Sequence, residues 1–133
     1  MQERAQKTNT ILVIEDDLDM LQLFRRILEP EGYLVMLADN GIYGMTLLKE
    51  VKPDLVLLDI IMPGPDGYVT LESIRQYSNV PVIMVTAKRE TEALRKAADL
   101  GADDYIKKPF RPAELLVRVK TKLKRFGAEA ERK

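Results

Sequence analysis

Five short apolar runs punctuate this chain, at residues 11–14, 34–37, 55–58, 80–85 and, more weakly, 105–106. Each is rich in Val, Ile and Leu, and continuous rather than alternating. A strand with one wet face alternates; a continuous run suits a strand covered on both faces, as in a parallel sheet between helices. Helical spacing fills the intervals. Met20, Leu21, Phe24, Ile27 and Leu28 share one stripe, closed by Pro30 and Gly32. Ile42, Met45 and Leu48 predict a second helix, and Leu71 and Ile74 a third that starts near Gly67. Leu94, Ala97 and Ala98 mark an Ala-rich fourth, stopped by Gly101. The fifth carries Leu115, Leu116, Val119, Leu123 and Phe126, with Pro112 well placed at its first position.

Five strands and five helices in strict alternation predict right-handed crossovers and a three-layer α/β fold. Two strand orders compete, and the five-unit length favours 2-1-3-4-5 around a parallel sheet. A chain of 133 residues is about one domain. Its expected limits are a flexible tail over residues 1–9, a folded domain over 10–126, and a polar stretch over 127–133 that frays or begins a linker.

Composition removes several chemistries. With no histidine and no cysteine, the chain has no imidazole base, no Ser–His triad, no disulfide and no thiolate or imidazole metal site. The formal net charge is zero, a poor footprint for direct nucleic-acid binding. No apolar run approaches a bilayer span, and the polar start lacks a secretion signal, so no membrane role and a cytoplasmic location are expected.

In an open α/β sheet the working groups gather beyond the carboxyl ends of the strands. After the first run come Glu15, Asp16 and Asp17; after the third, Asp59; after the fourth, Thr86; after the last, Lys107 and Lys108. Hard oxygen donors without His or Cys select Mg²⁺ or Mn²⁺ over zinc. A carboxylate can itself be a nucleophile and become an aspartyl-phosphate, and a lysine with a metal supplies the positive charge that phosphoryl transfer needs. Each residue also has a plainer role: Asp16 or Asp17 as a helix cap, Asp59 as a turn former, Thr86 as a strand residue, Lys108 as a surface charge. What favours chemistry is their convergence on one edge.

The stretches "ILVIEDD", "PDLVLLDIIMPGPDG", "PVIMVTA" and "GADDYIKKPF" resemble the receiver domains of two-component response regulators. The resemblance spans residues 11–110 and implies the flavodoxin-like (βα)5 receiver fold. It implies that Asp59 accepts a phosphoryl group from a histidine kinase or phosphotransfer protein. Glu15, Asp16, Asp59 and the Ile61 carbonyl would hold Mg²⁺ (or Mn²⁺). Lys108 and Thr86 would contact the phosphoryl group, with Thr86 and Tyr105 acting as the switch. The Lys108–Pro109 bond is cis in such proteins. Asp17 then falls outside the acidic pair and becomes a helix N-cap or a first-turn charge, and Lys107 faces solvent. The resemblance makes the chain a signalling phosphoacceptor rather than an enzyme acting on other molecules.

The last third is similar to the receivers of winged-helix transcription factors. These pair through the fourth helix, fifth strand and fifth helix, which here would bring Asp99, Asp103, Asp104 and Glu114 against Arg118, Lys120 and Arg125 of a second copy. Leu94 departs from the pattern, because a basic partner for the helix-five glutamate is usual there. Lys and Arg near a helix C-terminus also suit a solvated face. An alternative reading, a haloacid-dehalogenase-like phosphatase, would use Asp17 and Asp19, which have the right spacing but lack the rest of its signature.

Overall fold

The computed structural model describes residues 8–131, with side chains through residue 127. Most of the expected N-terminal tail, and residues 132–133, lie outside the described residues. The elements in order are β1 (Thr10–Ile14), α1 (Leu18–Leu28), a 3-10 turn (Glu29–Glu31), β2 (Leu34–Ala38), α2 (Gly41–Val51), β3 (Leu55–Leu58), α3 (Gly67–Tyr77), β4 (Val82–Thr86), α4 (Thr91–Asp99), β5 (Asp104–Lys107) and α5 (Pro112–Glu131). The strands form one parallel sheet ordered β2-β1-β3-β4-β5. Among the described residues, no helix is long and apolar enough to cross a membrane. Pro112 opens α5, and that helix continues past Gly127 to Glu131.

The pleat sorts the core into two halves. On β1, Leu12 and Ile14 face a cluster with Leu47 and Leu48 of α2, Leu71 and Ile74 of α3, and Ala97 of α4. Ile11 and Val13 face the opposite cluster, with Leu21, Phe24 and Leu28 of α1 and Leu115 and Val119 of α5. Continuous apolar strands therefore mean what their composition implies: both faces are covered. β2 and β5 are the sheet edges, and they are less buried than the central three. That explains why β5 is the weakest apolar run.

Three helices start on side-chain caps. Asp17 Oδ1 accepts from Asp19 N and Met20 N, Asn40 Oδ1 from Tyr43 N, and Asp66 Oδ1 from Val69 N. Each satisfies amides that the helix leaves without partners. α2 buries only part of the face its apolar spacing predicts: Leu48 is buried and Met45 packs against the core, but Ile42 does not. Ile42 is 69% exposed, and the buried positions are Gly41, Gly44, Leu47 and Leu48. Gly44 lies so close to β1 that a Cβ there would collide with the Ile14 side chain. The helix docks through its glycines, and Ile42 turns outward.

Arg75, on α3, ties the far end of the sheet together. Its Nε donates to Gly101 O (2.9 Å), and its Nη1 to Val80 O (2.7 Å) and Ser78 O (3.2 Å). Its Nη2 bonds Asp103 Oδ2 (2.9 Å), which also accepts from Val82 N (2.8 Å). Arg75→Met keeps the stem and strips these donors. It should cost about 2 kcal/mol, read as a lower urea midpoint at unchanged slope, because the carbonyls and Asp103 lose their partner in a half-buried place.

Candidate functional site

Strand register builds the site. Ile14 pairs with Leu58, so the next residues, Glu15 and Asp59, stand side by side at the carboxyl edge. Glu15 N donates to Ala38 O (3.0 Å) and Asp59 N to Ile14 O (3.1 Å), which extends the ladder through both acids. Thr86 pairs with Lys107 across β4 and β5, and this sets Lys108 just beyond the edge. Glu15, Asp59 and Thr86 are buried while Asp16 is exposed.

Lys108 Nζ bonds Glu15 Oε1 and reaches Asp59 Oδ2 at 3.1 Å. One ammonium thus bridges the ends of two strands. Oxygens of Glu15, Asp16 and Asp59 all lie within 4.8 Å of one another. Burial is the main influence on Glu15 and pushes its carboxyl up to about 7; the charge of Asp59 adds to this, and the Lys108 hydrogen bond opposes it. For Lys108, burial lowers the ammonium, but the bonds and charges of Glu15 and Asp59 outweigh it and hold the pKa above its ordinary value. Three carboxylates face one fixed cation, so the hollow is short of positive charge. Its donors are all oxygen, a set that suits a hard divalent cation.

The remaining predicted residues divide by place. Ile61 N donates to Asp59 Oδ1 (3.2 Å), and the Ile61 side chain is exposed. Lys88 links the two expected switch residues: its N–H donates to Thr86 Oγ1 (3.4 Å), and its carbonyl accepts from the Tyr105 hydroxyl (2.9 Å). Burial pushes the Tyr105 hydroxyl up to about 12, helped by the charges of Tyr68, Glu90 and Asp59. The Lys108–Pro109 peptide is cis. Two residues on, Phe110 stacks on Phe24 of α1 with ring centroids 5.6 Å apart, a pair that anchors the lysine turn to the core. Asp17 and Asp19 sit at the start of α1, with the Asp17 carboxylate capping it, and nothing favours the phosphatase alternative built on them.

The charges of the α4–β5–α5 face are partly spent within the chain. Arg118 bonds Asp104 (2.6 Å) and lies 3.6 Å from Glu114, and Lys122 lies 3.7 Å from Asp104. Asp103 is engaged by Arg75 and Val82. Asp99 on α4 and Lys120 and Arg125 on α5 are exposed. Leu94 and Val117 leave apolar surface there, 40% and 64% exposed. Sequence reasoning missed Arg75 and Arg89. Neither lies in an apolar stripe or an acidic cluster, and apart from the Arg75–Asp103 pair their partners are backbone carbonyls, which leave no compositional trace.

Comparison with known proteins agrees with this fold. The family model of the response regulator receiver domain matches residues 11–120. The chain is 40% identical over 119 residues to the DNA-binding response regulator MtrA of Mycobacterium tuberculosis, which covers 90% of this chain and 52% of that protein. It is 38% identical over 126 residues to the transcriptional regulatory protein BaeR of Escherichia coli, covering 95% of this chain and 52% of that protein. The chain spans about half the length of the curated relatives it matches. Among solved structures, a CheY-like response regulator receiver domain protein from Methanospirillum hungatei superposes with a TM-score of 0.88 at 33% identity, covering 92% of this chain and 99% of that one.

Proposed function

The chain belongs to the response regulator receiver domain family, and from that premise we propose that it accepts a phosphoryl group on Asp59 and relays the change through α4, β5 and α5. The observation that carries this reading is the Lys108 ammonium held between Glu15 and Asp59 at the strand ends. Glu15, Asp16, Asp59 and the Ile61 carbonyl are the groups that would hold Mg²⁺. That ion would supply charge neutralisation, so that an anionic donor can approach an acidic hollow.

Asp59 is the nucleophile: a carboxylate oxygen bonds phosphorus as the phosphorus–nitrogen bond of a kinase phosphohistidine breaks, and the imidazole leaves as donor product. Lys108 keeps its ammonium charged and takes up phosphoryl charge at the same place where it now holds Asp59. Thr86, buried beside them, offers its hydroxyl to a phosphoryl oxygen. Moving Thr86 disturbs Lys88, and Lys88 carries the disturbance to Tyr105 through the carbonyl that Tyr105 now holds. The two states pre-exist, and the phosphoryl group biases them.

MtrA is named as a DNA-binding response regulator, but a net charge of zero makes this chain a poor match for direct nucleic-acid binding. We infer that its own contacts are a sensor kinase and a second copy of the α4–β5–α5 face, through Asp99, Asp104, Glu114, Arg118, Lys120 and Arg125. Asp103 would join them while its Oδ2 stays bonded to Arg75 and Val82 N.

Intact-mass measurement after incubation with acetyl phosphate tests the phosphoacceptor reading. With Mg²⁺, the wild type should gain one phosphoryl group; with excess chelator it should gain none. No gain with Mg²⁺ present rejects the reading.

A further inference from the structure

Both backbone polar groups of Lys108 end on one short segment of chain. Its N–H donates to Thr86 O (2.8 Å), and its carbonyl accepts from Arg89 Nη1 (3.1 Å). The Tyr105 hydroxyl donates to Lys88 O in the same segment. Residues 86–89 are thus fastened three times to β5 and the turn after it. Two of these fastenings use groups already placed in the switch or the ladder. The third uses a solvent-exposed arginine whose acceptor is the carbonyl of the site's own lysine.

We propose that Arg89 is a positioning residue for phosphoryl transfer: its guanidinium holds the Lys108 carbonyl and so fixes the turn from which the ammonium reaches Asp59. This rests on the function proposed above. A lysine side chain has many rotamers, and the place of its ammonium depends on how firmly its own backbone is held. The cation makes the bond to the carbonyl charge-assisted, so it competes with water better than a neutral donor would. It also joins the lysine turn to the loop carrying Thr86, the two walls that must close on the same phosphoryl group.

The rival role for an exposed arginine at the mouth of this site is to attract anionic donors. Ionic strength separates the two, because screening weakens exposed long-range charge and leaves a short bond largely intact. Phosphoryl gain from acetyl phosphate with Mg²⁺ is measured for wild type, Arg89→Leu and Arg89→Lys, at low and high salt. In Arg89→Leu the maximal rate should fall about fivefold, the ratio one net hydrogen bond supplies, at both salt levels and with the half-saturating donor concentration unchanged. Arg89→Lys should recover part of the rate. By NMR on the metal-free protein, the Lys108 amide should exchange faster in Arg89→Leu, while global stability falls by no more than one net hydrogen bond accounts for.

A rate loss that vanishes at high salt, or a wild-type rate in Arg89→Leu, overturns the positioning role even if Asp59 is phosphorylated. A wild type that gains no phosphoryl group defeats the proposed function and this role together.

Discussion

Asp59→Asn should abolish phosphoryl gain and, in metal-free buffer, raise the melting temperature. The first effect follows from removing the nucleophile while keeping its shape. The second follows from charge. Above about pH 7, where Glu15 is charged, Asp59 shares its hollow with Glu15 and Asp16, two repulsions, against one attraction to Lys108. Two unit charges about 4 Å apart interact by about 4 kcal/mol in surroundings of intermediate polarity, so the opposing terms are large and their difference is small. The asparagine oxygen can still accept from Lys108, so part of the attraction survives. The net gain should be about 1 kcal/mol, or roughly 4 °C in melting temperature. Mg²⁺ should stabilise the wild type more than the variant, since only the wild type keeps the third carboxylate, and the gap should narrow as the ion is added. Differential scanning calorimetry with chelator and then with Mg²⁺ reads both. A variant that melts below the wild type in chelator would show that Lys108 already balances the hollow. Full phosphoryl gain in the variant would move the acceptor elsewhere.

That sign reversal, with stability gained where function is lost, is what a site built from like charges implies. Glu15 shows the same tension, since its carboxyl is pushed up to about 7 chiefly by burial. A core would replace such groups with apolar ones; keeping them at a strand end fits the proposed function, in which an ion and an anion meet there. The remaining wall, Lys108, is held from several directions, by Glu15, Asp59 and Thr86 and through the Phe110–Phe24 stack. A cation that must meet a short-lived anion is useful in proportion to how little it has to reorganise.

Much of this arrangement is legible in the amino-acid sequence. Central strands are read from unbroken Val, Ile and Leu, because β1, β3 and β4 are covered on both faces. Glu15, Asp59 and Thr86 follow those runs directly, so the sheet rule places them together. Asp17 is recognisable as a cap, and its side chain accepts from Asp19 and Met20 as a cap does. Two kinds of feature were not legible. α2 buries Gly41 and Gly44 and turns Ile42 out, because close backbone approach, not apolar spacing, sets how it docks. Asp103 reads as one more acid in "GADDYIKKPF", yet its carboxylate is drawn back to Arg75 and Val82 N. Periodicity detects oily faces; it cannot detect an arginine that gathers backbone carbonyls and one distant carboxylate.

Gly67→Ala should be the most damaging single-methyl change near the site. Gly67 is the first residue of α3, and a Cβ there would overlap Asp59 O, Asp59 C and Ile60 Cα. All three are backbone atoms, so no side chain can rotate away. Gly67 N also donates to Ile60 O (2.8 Å), which fixes the close approach. Relief requires the β3–α3 loop or the helix start to move, at a cost of about 3 kcal/mol and roughly 10 °C in melting temperature. Gly64, in the same loop, is the control. Its φ is +72° and nothing lies within 4 Å of its Cβ position, so Gly64→Ala meets only backbone strain, about 1 kcal/mol. The atoms displaced in Gly67→Ala belong to the proposed acceptor and its neighbour. Well below its melting point, that variant should therefore take up phosphoryl groups more slowly, whereas Gly64→Ala should keep most of its rate. If Gly67→Ala melts with the wild type, the loop has room that this packing denies. If it melts low but is phosphorylated at the wild-type rate, the strain has been absorbed by α3, and Asp59 is held independently of the helix behind it.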